Sequence, residues 1–192
     1  MHCEYGQNQE NQLGDELLTA AAARGDESAL EMLFERYRRP LYAYFNRMLG
    51  NDVMSADDCF QELWIKVINK LPGYRDEGKF SAWLFRIARN QVLEHFRREK
   101  SRAKIGALTE EGEVPEQVNF TSEPRSLVGA QELNEQLEEL LARLPAEQRE
   151  VFIMRQNDLS FKEIAKIQRC PVNTALGRMH NCLKFLRQHL CQ

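Results

Sequence analysis

The sequence predicts an all-α protein made of two small helical domains that are joined by a flexible acidic linker. Apolar residues recur at three- and four-residue steps in two stretches, 13–104 and 128–192, and this is the period of a helix packed on one side. Residues 105–127 lack that period and hold two prolines and five glutamates against one arginine. Such a composition is typical of a linker. The second stretch ends in a helix-turn-helix pattern.

Composition limits the possible functions of the 192 residues. The net charge is −3, so the chain is not a polycation, and binding to nucleic acid would depend on local basic patches. No apolar run approaches the roughly 20 residues of a membrane span. The N-terminus is polar and does not resemble a signal peptide. We therefore expect a cytoplasmic protein with no membrane insertion and a disordered segment at residues 1–12.

The chain contains five cysteines, an odd number that argues against a disulfide framework. Neither His180-x-Cys182 nor His189-x-Cys191 can chelate from a regular helix, since residues two apart face different sides. There is no CxxC motif. No metal or cofactor is predicted, and a redox or metal role for Cys170, Cys182 and Cys191 stays open.

The first domain begins with two helices. Asp15 is the expected cap of the first helix, which Gly25 ends. The second starts at Asp26 or Ser28 and ends at Gly50–Asn51. Pro40 lies inside it, at a position where proline can kink a helix.

A third helix is predicted over residues 53–71. Its buried stripe comprises Phe60, Leu63, Trp64, Val67, Ile68 and Leu71. An acidic and amide-rich set lies off that stripe: Asp57, Asp58, Gln61, Glu62 and Lys66. Periodicity alone favours a solvated face for this set.

The most basic stretch is 74–104. It holds nine Lys and Arg residues against four acids. It starts as a loop after Pro72–Gly73 and continues as a helix in which aromatic side chains alternate with arginines. Phosphate binding needs such cations, and aromatic rings can stack on exposed bases. The alternative, an amphipathic helix with core aromatics and solvated arginines, stays open.

The second domain starts with a helix at about residues 128–142. Pro145 suits the first turn of the next helix, and Ser160 with Glu163 forms a capping box for a short third helix. A tight turn at 169–171 leads to a last helix at about 173–189. This pattern predicts a helix-turn-helix, with an ordinary αα-hairpin as the alternative.

Three ordered motifs resemble those of bacterial sigma factors of the extracytoplasmic-function branch of the sigma-70 family. They are ADDCFQELWIKV (56–67), YRDEGKFSAWLFRIARNQVLEHFRR (74–98), and the set LPAEQREVFIM (144–154), LSFKEIA (159–165) and CPVNTALGRMH (170–180). The resemblance covers nearly all of residues 13–190. It implies a non-catalytic subunit that binds core RNA polymerase and promoter DNA and directs promoter recognition, −10 melting and transcription initiation.

The resemblance assigns the third and fourth helices to different partners. The third would dock on the clamp helices of polymerase through Asp57, Asp58, Gln61, Glu62 and Trp64. The loop 74–79, where the family captures a flipped base, and the helix after it would engage the −10 element. The residues expected to bind the −10 element are Arg75, Lys79, Phe80, Trp83, Arg86, Arg89, Asn90, Arg97 and Arg98.

The last helix would bind the −35 element in the major groove. The residues on its polar side are Asn173, Thr174, Arg178, His180 and Lys184. The sequence departs from the family here, since Leu176, Asn181, Leu183 and Phe185 stand where Lys or Arg is typical. We therefore expect weak −35 binding. A widened apolar stripe (Leu176, Met179, Leu183, Leu186 and Leu190) suggests packing against the other domain, a second copy or an anti-sigma factor.

The sequence also bears on two other classes of function. A stand-alone helix-turn-helix regulator would need neither the docking helix nor the aromatic basic helix. An enzyme is disfavoured, because His95 beside Glu94 has no further catalytic partner in the sequence.

Overall fold

The computed structural model of the protein describes residues 13–75, 79–107 and 130–190. The expected disordered segment 1–12 and most of the expected linker 105–127 lie outside the described residues. Every long element in the described part is a helix, as the sequence predicts.

The N-terminal domain contains four helices, α1 (Asp15–Ala23), α2 (Glu27–Met48), α3 (Val53–Lys70) and α4 (Phe80–Ala107), with a short 3₁₀ turn at Leu71–Gly73. Asp26 and Asp52 cap α2 and α3, because each carboxylate accepts a hydrogen bond from a backbone N–H three residues on. Asp15 does not cap α1. Gly14 is the N-cap, and the Asp15 carboxylate accepts hydrogen bonds from Arg36 and Tyr37 of α2 instead.

Helix α2 continues through Pro40 without ending. A proline inside a helix removes one hydrogen-bond donor. The long apolar stripe of α2 compensates, because Leu33, Leu41, Tyr44 and Phe45 are all fully buried. Tertiary packing therefore sets the length of this helix.

The buried stripe of α3 differs from its prediction at one position. Leu63, Trp64, Val67 and Leu71 are buried, but Ile68 is 51% exposed. Ile68 follows Val67 by one residue, a step of about 100° around a helix, so it leaves the core face.

The C-terminal domain consists of α5 (Ala130–Arg143), α6 (Ala146–Gln156), α7 (Phe161–Gln168) and α8 (Val172–Leu190). The capping box is present as predicted, with Ser160 and Glu163 each accepting from the other's backbone N–H. Arg169 ends α7 in the left-handed conformation (φ 53°), and this sharp turn redirects the chain into α8. Helices α7 and α8 form the predicted helix-turn-helix.

The two domains pack against each other. One continuous core joins α1–α4 to α6, α7 and the start of α8, and Val151, Ile153 and Met154 belong to the same cluster as Leu33 and Phe85. A smaller cluster of Leu140, Leu141, Leu144, Cys182 and Leu186 holds α5 and α8 together. None of the described helices is both long and apolar enough to span a bilayer.

Candidate polymerase-docking and nucleic-acid interfaces

The outer face of α3 carries a straight stripe of exposed side chains. Asp58, Gln61, Ile65 and Ile68 follow one another at steps of three, four and three residues, and all are exposed. Such a 3.5-residue repeat forms a seam that another helix can pack on. We call these four residues the docking stripe. Asp57 lies beside them and is also exposed. Sequence reasoning placed Asp57, Asp58 and Gln61 on this face but missed both isoleucines.

Glu62 lies at the edge of this face and belongs to a network of ion pairs with α4. Its carboxylate contacts Lys66 at 3.6 Å and Arg98 at 3.3 Å, and Glu94 contacts both cations as well. The hydrogen bond from Arg98, with the charge of Lys66, lowers the pKa of Glu94. This network joins a residue predicted to bind polymerase, Glu62, to one predicted to bind DNA, Arg98.

Trp64 is only 6% exposed and packs against Phe34 and Phe60. Its indole lies inside the domain, and its N–H has no hydrogen-bond partner there. In this conformation the Trp64 ring packs in the core against the inner face of α3 and is not accessible to a partner.

The exposed face of α4 is basic. Arg86, Asn90, Arg97 and Arg98 are exposed, as are Arg75 and Lys79 before the helix. Arg89 is different, because its side chain is only 15% exposed and its guanidinium pairs with Glu150 of the C-terminal domain. One residue not anticipated, Phe96, is 49% exposed and adds an open aromatic ring to this surface.

Phe80 and Trp83 form a stacked pair at the start of α4, with ring centroids 5.5 Å apart. Phe80 is 2% exposed and has no free ring face. Trp83 is half-buried and lines a shallow cavity of about 510 Å³. The other lining residues are Asn69, Lys70, Gly73, Tyr74, Arg75 and Arg86. Arginines at the rim and aromatic rings in the wall suit a base and its phosphates.

The predicted −35 residues lie on one helix but differ in accessibility. Asn173, Thr174, His180 and Lys184 are exposed. Arg178 is half-buried, and its guanidinium donates to Gln168 Oε1 at 2.7 Å and lies 3.6 Å from Cys170 Sγ. In this conformation Arg178 is therefore engaged within the domain.

Most of the widened apolar stripe of α8 is covered by the chain itself. Leu186 is buried against α5, while Met179 and Leu190 pack on the two cores. Leu176 is 44% exposed. The stripe therefore belongs largely to the interior of the domain, and the expectation of an additional partner rests on Leu176 and its exposed neighbour Val172.

The cysteines of this region have different environments. Cys182 is fully buried, and burial raises the pKa of its thiol to about 11. Cys170 is half-buried beside Arg178. A thiol with a raised pKa is mostly protonated at neutral pH and reacts slowly, so Cys182 is a core residue in this conformation.

Sequence reasoning missed Glu150 of α6, the most buried charged group among the described residues, which is 3% exposed. Its carboxylate accepts hydrogen bonds from Tyr44 (2.8 Å), Arg89 (3.1 Å) and Gln168 (2.7 Å). No local pattern marks Glu150, since its partners Tyr44 and Arg89 are far away in sequence. Only the packing of the two domains reveals it.

Comparison with known proteins identifies the class to which this fold and these surfaces belong. The model of sigma-70 region 2 matches residues 33–102, and the model of sigma-70 region 4 matches residues 134–186. The first match contains α3 and most of α4, and the second contains most of the helix-turn-helix. Together they span well over half of the chain.

Curated relatives and solved structures agree with this class. The sigma factor SigW of Bacillus subtilis is 30% identical over 87% of this chain and 91% of its own length. The sigma-E factor of Escherichia coli K12 is 30% identical over 88% and 90%. Two solved structures share the fold at 22% sequence identity. The sigma factor RpoE with the anti-sigma factor NepR from Bartonella quintana has a TM-score of 0.63 and covers 84% of this chain and 96% of its own. CnrH with the cytosolic domain of CnrY has a TM-score of 0.61 and covers 91% of this chain and 95% of its own.

The chain belongs to the extracytoplasmic-function family of sigma factors. It therefore binds core RNA polymerase and directs promoter recognition, −10 melting and transcription initiation. This family consists of transcription initiation factors. Membership in it therefore favours a sigma factor over a stand-alone helix-turn-helix regulator.

Proposed function

We propose that the docking stripe of α3 is the surface through which this sigma factor binds the clamp helices of core polymerase. Asp58 and Gln61 of the stripe, with Asp57 and Glu62 beside them, supply polar contacts at one end. Ile65 and Ile68 add apolar area at the other end, and burying this area contributes a favourable free energy of about 25 cal/mol per Å². Trp64 acts indirectly, by holding α3 in place. The single observation that carries this proposal is the exposed 3.5-residue repeat on one helix face.

The basic face of α4 and the cavity beside it are the proposed −10 surface. Arg75, Lys79, Arg86, Arg97 and Arg98 are placed to contact phosphates, and Asn90 can read a base edge. Trp83 forms the wall of a cavity into which an unpaired base can flip, while Phe80 supports it from the core. Stacking of a base on an aromatic ring contributes about 1–3 kcal/mol, which offsets part of the free energy needed to separate the DNA strands.

The exposed face of α8 is the proposed −35 surface, through Asn173, Thr174, Arg178, His180 and Lys184. Only two of these five residues, Arg178 and Lys184, carry a permanent positive charge, which predicts weak phosphate binding there. Control by an anti-sigma factor is part of the proposal, because one structural neighbour, the sigma factor RpoE, was solved with the anti-sigma factor NepR. The protein would act in the cytoplasm, where core polymerase is, and would perform no catalysis itself.

Run-off transcription tests the function directly. Purified bacterial core polymerase is combined with this protein on a library of random promoter sequences, with core polymerase alone as the control. We expect new transcripts that share a −10 motif and a weak −35 motif. If the protein binds core polymerase but yields no specific transcripts, the DNA-binding assignment is wrong. If it does not bind core polymerase, the docking assignment is wrong.

Trp83→Ala separates melting from closed-complex formation. We expect strong loss of promoter opening, read by permanganate reactivity of unpaired thymines, with little change in closed-complex affinity. Since Trp83 is half-buried and packs against the core, the thermal unfolding midpoint is measured in parallel. Equal loss of both steps, or a collapsed midpoint, would assign Trp83 to the core.

A further inference from the structure

The N-terminal half of α8 presents an apolar surface among the residues assigned to the −35 element. Leu176 is 44% exposed, and Val172, one turn before it, is 37% exposed. Residues three and four apart are neighbours on a helix, so Leu176 lies between Asn173 and His180, which are exposed as well. Leu176 has no donor for a phosphate, so its contact with a partner must be apolar.

The next residue, Gly177, is a glycine that the fold does not require. It lies inside α8, and a Cβ built on it would meet nothing from the rest of the described chain within 4 Å. Glycine in a helix is less stable than alanine, because its backbone loses more freedom on folding. Alanine would therefore fit and stabilise α8. A partner that approaches the helix backbone closely explains why glycine stands there instead.

The charges around this surface fit DNA. Residues 169–190 contain no aspartate or glutamate. Exposed cations lie on both sides of Leu176, with Arg169 in the turn before α8 and Lys184 two turns further along the helix. A polyanion is therefore the favoured occupant of this face. A helix-turn-helix places the first residues of its second helix against base edges in the major groove, so the group that Leu176 contacts belongs to a base.

The major groove offers one apolar group for such a contact. Thymine carries a C5-methyl group there, and apolar side chains distinguish it from the other bases by packing on this methyl. Leu176 and Val172 supply the apolar surface, and Gly177 lets the helix backbone come close to the base edges. Asn173, on the same face, has the amide that can pair with an adenine edge.

We propose that α8 reads the −35 element by close apolar contact, with Leu176 on a thymine methyl group and Gly177 at the point of closest approach. The small number of cations then weakens phosphate binding without removing sequence selectivity. The inference rests on the proposed assignment of α8 to the −35 element and adds the base that Leu176 selects.

The target sequence is determined first. Holoenzyme assembled from core polymerase and the full chain selects promoters from a library with a fixed −10 element and a random −35 region. In the selected duplexes, each conserved thymine is then replaced by deoxyuridine, which lacks only the methyl group. We expect at least one replacement to weaken binding of the wild-type protein about fourfold, the factor that corresponds to one buried methyl group. A selected motif without thymine would overturn the inference.

Leu176→Ala provides the second half of a double-mutant cycle. It should weaken binding to the thymine duplex and make the protein insensitive to deoxyuridine, because the methyl group has then lost its partner. Leu133→Ala, which truncates an exposed leucine of α5, is the matched control and should keep the wild-type sensitivity. Equal sensitivity in Leu176→Ala and Leu133→Ala would assign the thymine contact to another residue.

Gly177→Ala should change stability and binding in opposite directions. The thermal unfolding midpoint should rise, because alanine favours the helix and restricts the unfolded chain. Affinity for the selected promoter should fall about tenfold, since the added methyl group holds α8 away from the base edges and the contacts that discriminate bases are lost. Promoter affinity at or above the wild-type value would rule out a close approach at Gly177.

Failure of the inference differs from failure of the −35 assignment on which it rests. Lys184→Ala measures whether α8 contacts the −35 region at all, since it removes a phosphate contact. If Lys184→Ala weakens binding but no deoxyuridine replacement does, the −35 assignment stands and the thymine contact is wrong. If neither Lys184→Ala nor Leu176→Ala changes promoter affinity, the −35 assignment of α8 is itself wrong, and the inference is overturned with it.

Discussion

Trp64 and Ile65 are neighbours in sequence in opposite environments. Trp64 is 6% exposed and packs between Phe34 and Phe60, whereas Ile65 is 59% exposed on the docking stripe. One step along a helix turns a side chain by about 100°, which is enough to move it from the core to the surface. The two residues therefore allow stability and polymerase binding to be separated.

We expect Trp64→Ala to lower the free energy of unfolding by about 3 kcal/mol or more, since it leaves a large cavity in the core. Ile65→Ala should leave that free energy nearly unchanged and weaken core polymerase binding about tenfold, as loss of an apolar interface anchor does. Denaturant titration and fluorescence-detected binding measure the two quantities. Leu133→Ala, which truncates another exposed apolar residue, is the control for binding. Unchanged affinity in Ile65→Ala would remove it from the interface.

The buried thiols give the protein a pH dependence at the alkaline end. Burial raises the pKa of both Cys59 and Cys182 from 9.0 to about 11. A raised pKa in the folded state means that folding favours the neutral thiol. This contribution is complete below pH 9 and is lost as the pH rises toward 11. Tyr44 acts in the same direction, because burial and the charge of Glu150 raise its pKa.

The free energy of unfolding should therefore fall as the pH rises above 9, and Cys182→Ala should make that fall shallower. Chemical denaturation at a series of pH values between 7 and 11 measures it. Cys170→Ala is the matched control, because Cys170 is only half-buried at the edge of the core. The same slope in wild type and Cys182→Ala would show that the thiol is ionised in the folded state.

Individual residues show where sequence reasoning worked. The exposure of Asp58 and Gln61 followed from periodicity, because both lie far from the apolar stripe. Ile68 was misplaced and Ile65 missed, since an apolar side chain next to a buried stripe is assigned to the core by default. The function of a surface isoleucine is set by its partner, and the sequence of one chain does not contain that partner.

At the scale of elements, caps and turns were the most predictable features. Ser160 and Glu163 formed the predicted capping box, and Gly25 and Gly50, both with positive φ, ended helices as expected. The start of α8 differed by one residue from its prediction. Such features depend on a few neighbouring residues, so local sequence is sufficient to specify them.

The helix-turn-helix permits a prediction about salt. Lys184 is an exposed cation on α8, and each phosphate contact contributes a slope of about −0.9 to the dependence of log affinity on log salt concentration. Lys184→Ala should reduce the slope for promoter binding by holoenzyme by about one and weaken all sequences equally. Lys162→Ala, which removes an exposed lysine from α7, is the comparison. A change in sequence preference would mean that Lys184 reads bases.

At the scale of the whole molecule, the sequence predicted two helical domains but not their packing. Val151 and Met154 of α6 belong to the same core as Leu33 of α2, although more than 100 residues separate them along the chain. The pairing of Tyr44 with Glu150 has the same origin. Periodicity describes which face of a helix is apolar, but it does not identify the distant surface that covers it.

A shared core predicts cooperative unfolding of the two domains. When buried contacts and ion pairs join two domains, neither domain can unfold without exposing the apolar surface of the other. Calorimetry of the wild-type chain should therefore give a single thermal unfolding transition. Arg47 of α2 forms an ion pair with Glu138 of α5 across the interface. Glu138→Lys places a like charge beside Arg47 and should split this transition into two, with the smaller C-terminal domain melting first. Arg47→Glu/Glu138→Lys should restore a single transition, and Glu139→Lys should leave it unchanged. Two transitions in the wild-type chain would mean that the domains fold independently and that the buried hydrogen bonds of Glu150 with Tyr44 and Arg89 do not hold them together.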